Sequence, residues 1–338
     1  MIRLPLPRLA LPSLGLMAVL TTTAAMADVP KVAADIAPVH ALAARVMQGL
    51  GAPDLIVRPG ASPHGYAMRP SEARALEQAD LVLWVGEALT PWLEGPIETL
   101  AGDAAVIELM AVEGTHLHAY REGITFARHD HGHDDDHDHA HEGEDHADHD
   151  HDHEEKPESH GHDHSHEGED GHAWLDPANA RVWLAAIAEE LARLDPDNAA
   201  TYAANATAGQ QELTALEAEL TERLAPLHDK GFVVFHDAYQ YFEHRFGLAA
   251  AGAISLGDAT SPSAARIAGL QAELAGMNAA CVFAEPQFSR GLVDTVFGGS
   301  NLRIGLLDPL GQEIAPGAGL YPQLLRNMAD AFADCLGD

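Results

Sequence analysis

The chain has 338 residues, 46% of them hydrophobic and 21% charged, with a net charge of −33, and is long enough for two domains that each bury a core. Residues 129–170 alone carry −17 of that charge, from 18 acidic residues against Lys156, so the remainder is only moderately acidic. No basic stripe is present, which argues against nucleic acid as a partner and against electrostatic binding to anionic lipid.

Residues 1–27 open with Arg3 and Arg8, run apolar from Leu9 to Leu20 and end in the small residues Ala25 and Ala27. This is a signal-peptide pattern with cleavage expected before Asp28. An uncleaved anchor is the other reading, but the apolar run falls short of the ~20 residues that span a bilayer. The mature chain is therefore expected to be exported, soluble and in a compartment that permits disulfides.

Beyond the leader, short apolar runs alternate with amphipathic stretches, as βα units do. A strand is predicted at Val29–Ala37, a helix at Pro38–Gly49 and a strand at Asp54–Val57. A helix at Ser71–Gln78 and strands at Leu81–Val85 and Ala104–Met110 follow. The tract HDHGHDDDHDHAHEGEDHADHDHDHEEKPESHGHDHSH (His129–His166) then interrupts the lobe. Its low hydrophobicity and dense like charge cannot offset the entropy of ordering it, so 129–170 is expected to be a disordered insertion, with order resuming at Gly171.

Asp176-Pro177 reads as an N-cap followed by proline at the first helical position, and Trp183, Ile187, Leu191 and Leu194 recur at helical spacing. Asp195-Pro196 opens a second helix that runs to about Leu224, with Leu213, Leu216, Leu220 and Leu224 on one stripe. At ~40 Å it suits a rod between lobes, or else a coiled-coil arm. Strands are then predicted at Gly231–Phe235, Leu248–Ile254, Ala280–Glu285 and Leu302–Leu307, with a closing helix at Tyr321–Leu336. The expected fold is α/β, with two similar βα lobes, each holding a mainly parallel sheet. The first covers 28–194, a linking helix covers 195–226, the second lobe covers 227–338, and a cleft lies between them. The only cysteines, Cys281 and Cys335, are expected to pair and to pin the last helix; two buried free thiols are the alternative.

In open α/β sheets ligands gather at the carboxyl ends of strands. His64 lies in the loop after the second strand and His172 lies four residues before the Asp176 cap. His236 and Asp308 each directly follow an apolar strand. A single histidine at a strand end is most often structural, but imidazole and carboxylate converging on one cleft would suit tetrahedral zinc. A hydrolytic zinc site is the catalytic reading, with Glu285 as the strand-end carboxylate available as a base; neither HExxH nor GxSxG occurs to support it. Asp237 and Glu285 are candidates to orient ligand imidazoles, or else ordinary capping and ion-pairing residues. His40 and His228 read as exposed helix-end histidines and His244 as outward-facing. His116 and His118 could extend the tract, and Tyr239, Tyr241 and Phe242 read as packing residues.

SPHGYAMRPS, GHAWLDP after the histidine- and acid-rich loop, FVVFHDAYQYFEHRFGL, the SPS before CVFAEPQF, and LDPLG with a cysteine near the end together resemble ZnuA-type zinc-binding proteins. These are the periplasmic substrate-binding components of ABC zinc importers. The resemblance spans the mature chain in the same order. It implies a two-lobed fold with Zn²⁺ held by the residues matching His64, His172 and His236, and delivered as cargo to an ABC permease at the inner membrane. The family's fourth position varies: Pro63 stands where some members have an acidic residue, which leaves Asp308 or water. The family cysteine pair matches Cys281 and Cys335. The chain is thus expected to be a monomer that performs no covalent chemistry. Three neutral imidazoles favour zinc over manganese. The alternatives are a manganese or iron importer subunit of the same fold, a zinc buffer or a zinc hydrolase. The tract itself is expected to hold additional zinc weakly.

Overall fold

A computed structural model describes residues 29–121, 126, 168–255, 268, 269, 272, 279–286 and 302–337. The expected signal peptide, the tract through residue 167 and the SPS helix start lie outside these residues. The first sheet holds β1 (Val32–Ala34), β2 (Asp54–Leu55), β3 (Leu81–Trp84) and β4 (Ala105–Glu108), all parallel, in the order β2-β1-β3-β4. A parallel strand covered on both faces is apolar throughout, and all four residues of β3 are buried. Their side chains divide with the two-residue period of a strand. Val82 and Trp84 face Ile56, Leu76, Leu93 and Ile97, whereas Leu81 and Leu83 join the main core.

The helices of this lobe are α1 (Ala37–Val46), α2 (Pro70–Glu77) and α3 (Glu94–Leu100). Beyond the predicted helices, α3 is a seven-residue segment, EGPIETL, whose Pro96 sits in the first turn where its missing N–H costs nothing. His40 corrects another expectation. It is not an exposed helix-end residue but lies inside α1, buried, with Nε2 3.0 Å from the Pro53 carbonyl oxygen.

α4 (Pro177–Leu194) starts as predicted, with the Asp176 carboxylate accepting from Ala178 N at 2.7 Å. A 3₁₀ turn at Pro196–Asn198 then leads into α5 (Ala199–Leu224), whose 26 residues span about 39 Å. Leu213, Leu216, Leu220 and Leu224 form its buried stripe, packed along α4 and the last helix.

The second sheet repeats the first. β5 (Gly231–His236), β6 (Ala250–Ser255), β7 (Ala279–Ala284) and β8 (Arg303–Leu306) are parallel in the order β6-β5-β7-β8. α6 (Gln240–Phe246) stops at Gly247, whose φ of +66° is the left-handed conformation that ends helices and suits glycine. α7 (Leu320–Leu336) closes the chain, and the Cys281–Cys335 disulfide ties it to β7.

Among the described residues the main hydrophobic cluster is shared by both lobes, running from Val32 to Leu336, while a smaller one lies on the other face of the first sheet. The Trp174 indole donates to the Pro309 carbonyl at 2.8 Å, and Tyr321 Oη donates to the Trp174 carbonyl at 2.7 Å. Among the described residues no helix is long and apolar enough to cross a membrane.

The C-terminal end of the acidic tract also differs from expectation. Ala119 and Glu169 form an antiparallel bridge, with Tyr120 N donating to the Gly168 carbonyl at 2.9 Å and Asp170 N donating to the His118 carbonyl at 2.8 Å. Residues 168–170 therefore belong to the folded body, and Asp170 is buried.

Candidate metal centre

His64, His172 and His236 arrive from three unconnected segments, and one ring nitrogen from each lies within 4.8 Å of the others. The ring centroids are 5.2 Å (His64–His172), 5.7 Å (His64–His236) and 4.9 Å (His172–His236) apart.

His64 is the half-buried member. Its loop is fixed by two sets of contacts. The Trp92 indole donates to the Pro63 carbonyl at 2.6 Å. Arg58 Nε donates to Tyr66 Oη at 2.8 Å and to Glu72 at 3.1 Å, while Tyr66 Oη donates to the same Glu72 oxygen at 2.8 Å. Glu72 in turn accepts from Arg69 N at 2.6 Å, which anchors the network to the start of α2.

His172 is buried just ahead of the 3₁₀ turn Ala173–Leu175. Gly171 lets it approach: a Cβ there would sit 2.9 Å from the backbone of Ala88 and Leu89. Asp170 Oδ1 lies 2.6 Å from His172 Nδ1. His236, the last residue of β5, is also buried, and its Nδ1 lies 3.3 Å from Glu285 Oε1 at the end of β7. Glu285 is itself 2% exposed, so this carboxylate faces the imidazole rather than solvent. Tyr239 is buried near it, and its phenol is pushed well above the ordinary value by burial and then by the charge of Glu285.

A carboxylate on Nδ1 fixes the tautomer and leaves the Nε2 lone pair for a metal. His172 and His236, each with such a carboxylate beside Nδ1, can together with His64 share one borderline cation such as zinc.

Asp308 is not in the group of three. Its half-buried carboxylate accepts from the backbone N–H groups of Leu310 (3.2 Å), Gly311 (2.9 Å) and Gln312 (2.6 Å), closing the turn after β8. Burial raises its pKa above the ordinary carboxylate value, against the lowering by those hydrogen bonds. Of the remaining polar residues, Asp237 pairs with Arg121. His228 and His244 are exposed as expected, and the His244 ring stacks on His118 at 4.3 Å. Asp170, which lies against His172 Nδ1, is not among the residues the sequence singles out. The only available signal was that Asp170 stands two residues before a candidate ligand.

The family model "Zinc-uptake complex component A periplasmic" (ZnuA) matches residues 32–335. The high-affinity zinc uptake system protein ZnuA of Paracoccus denitrificans is 53% identical over 328 residues, covering 96% of this chain and 98% of that protein. The protein of the same name from Brucella abortus is 48% identical over 305 residues, covering 90% and 91%. A crystal structure of ZnuA superposes with a TM-score of 0.70 at 23% identity, covering 91% of this chain and all of the other. The Pseudomonas aeruginosa protein FpvC in complex with Mn²⁺ gives 0.70 at 19%, covering 91% and 98%. At these identities the structural likeness speaks for the fold alone.

Proposed function

Since the chain belongs to the ZnuA family of periplasmic zinc-uptake components, we propose that it captures Zn²⁺ in the periplasm and delivers it to the permease of an ABC importer. The observation that carries this reading is the convergence of His64, His172 and His236, with Asp170 and Glu285 behind two of them. Three imidazoles make a softer donor set than manganese prefers. The fourth position falls to water or to Asp308, whose carboxylate already serves the turn after β8.

In this reading residues 1–27 direct export and are removed near Ala27. The tract from His129 to His166 is an accessory collector: its many histidine–aspartate combinations hold several zinc ions, each weakly, and concentrate them near the cleft. Metal stoichiometry and competition affinity of protein lacking residues 129–166 test the proposal. About one tightly bound zinc per chain is expected, preferred over Mn²⁺ and lost on His236→Ala. Loss of the tightest site with the tract would make the tract the primary ligand set, and an equal preference for Mn²⁺ would favour a manganese importer subunit.

A further inference from the structure

We infer that Arg121 is a positioning residue for the cleft metal, fixing His236 of the second lobe relative to His172 of the first; this rests on the metal site proposed above. Arg121 closes the short ribbon in which residues 118–120 pair with 168–170, and that ribbon leads directly into His172. Its guanidinium reaches into the other lobe. Nε donates to both oxygens of Asp237 at 3.0 and 3.2 Å, and Nη2 also contacts Asp237. Nη1 and Nη2 donate to the two oxygens of Glu243 at 2.8 and 3.0 Å.

Asp237 is the chain neighbour of His236, and Glu243 also accepts from Ala250 N at 2.8 Å, joining α6 to β6. One planar fork therefore fixes the exit of β5, α6 and the start of β6 at once. Two further contacts run in parallel. Gln240 Nε2 donates to the Ala119 carbonyl at 2.9 Å. Tyr241 Oη accepts from His118 N at 3.1 Å and donates to the Asp170 carbonyl at 2.8 Å. An unbroken path thus joins the two ligands, from His236 through Asp237, Arg121 and the ribbon to Asp170 and His172.

A purely structural account would need only a cation to neutralise two buried carboxylates. The geometry asks for more. The contacts with each carboxylate are bidentate, the two acids come from different elements, and Phe126 covers the guanidinium with its ring centroid 4.0 Å from Cζ. A lysine would supply the charge but not the angle.

The test is full-length protein loaded with one equivalent of Co²⁺, whose ligand-field spectrum reports the geometry of the tightest site, together with the rate of metal release to a chelator. R121K is expected to fold, to release metal about tenfold faster and to shift the cobalt spectrum; R121Q is expected to do more. Should R121Q fail to fold, R121K carries the test alone. A lowered melting temperature with wild-type spectrum and release rate in R121K would overturn the inference, because Arg121 would then serve stability only. H236A is the control for the site itself: if the wild-type spectrum survives it, His236 is not a ligand, and both the site and the positioning role fall.

Discussion

Asp170 Oδ1 lies 2.6 Å from the Nδ1 of His172 and 3.0 Å from the same residue's backbone nitrogen. One carboxylate thus sets both the ring and the main chain of a candidate ligand, and both residues are buried. It holds the proton on Nδ1 and the lone pair on Nε2. Asp170→Ala is expected to weaken zinc binding roughly 10- to 100-fold, with Asp170→Asn intermediate because its amide oxygen still accepts. Competition with a zinc chelator in tract-deleted protein checks this; wild-type affinity in D170A would remove Asp170 from the site.

Imidazole binds metal only when neutral, and the free side chain titrates near ~6.5. Protons therefore compete with the metal, and zinc affinity is expected to fall steeply as the pH drops from about 7 to about 5. Calorimetry in buffers of different ionisation enthalpy should reveal proton release on binding below neutrality. Heats independent of the buffer would contradict histidine ligation.

Asp35, at the end of β1, predicts a pH effect of the opposite sign on the metal-free fold. Its carboxylate accepts from Ile36 N and Val85 N, both at 2.7 Å, yet burial pushes its pKa up from 3.8 to about 7. A raised folded-state value means the native state holds the proton more tightly than the unfolded chain. The contribution to stability is then complete below pH about 4 and is lost as the pH rises through about 7. The loss is on the order of a few kcal/mol. Asp35→Asn should flatten this part of the profile and be the more stable protein at pH 8, measurable by urea unfolding across pH 4–8. An unchanged profile would show that Asp35 ionises freely.

Much of this arrangement is legible in the sequence because it is local. The apolar runs that become β3 and β5, the Asp176-Pro177 cap and the leucine stripe of α5 depend on neighbours within a few residues. The candidate ligand histidines are recognisable because they stand at strand ends, in a loop after a strand or beside a helix start. What stayed hidden depends on partners remote in the chain. His40 reads as exposed until the Pro53 carbonyl closes over it, and nothing beside Arg121 announces Asp237 or Glu243. Asp170 was lost in a run of similar charges, since its burial follows from the bridge at Glu169 and not from its own surroundings in sequence.

Asp308 should behave unlike the histidines. With its oxygens accepting from Leu310, Gly311 and Gln312, Asp308→Ala leaves three amide groups without their acceptor, at a cost of about 1–3 kcal/mol for each one that stays buried. Thermal unfolding should therefore report a clear loss, while zinc affinity falls less than in the histidine variants if water completes the site. A loss of affinity equal to that of H236A would make Asp308 the fourth ligand.

The disulfide is expected to act on stability rather than on the metal. Cys281 and Cys335 close a loop with a sequence separation of 54 residues, worth about 4 kcal/mol on the chain-entropy model. The double serine variant should lose roughly 2–4 kcal/mol in denaturant titrations and keep its zinc affinity. A metal defect without a stability defect would contradict this assignment.

The Ala119–Glu169 bridge also bears on how this chain can diverge. It holds the two ends of the insertion at pairing distance, so what happens between them is decoupled from the positions of Asp170 and His172. By the loop-closure relation for a chain between fixed ends, each doubling of length costs only about 0.6 kcal/mol. Duplication or loss of histidine–aspartate units between residues 121 and 168 would then be almost neutral for folding. Tract length can then drift, while His172, two residues beyond Asp170, stays in place.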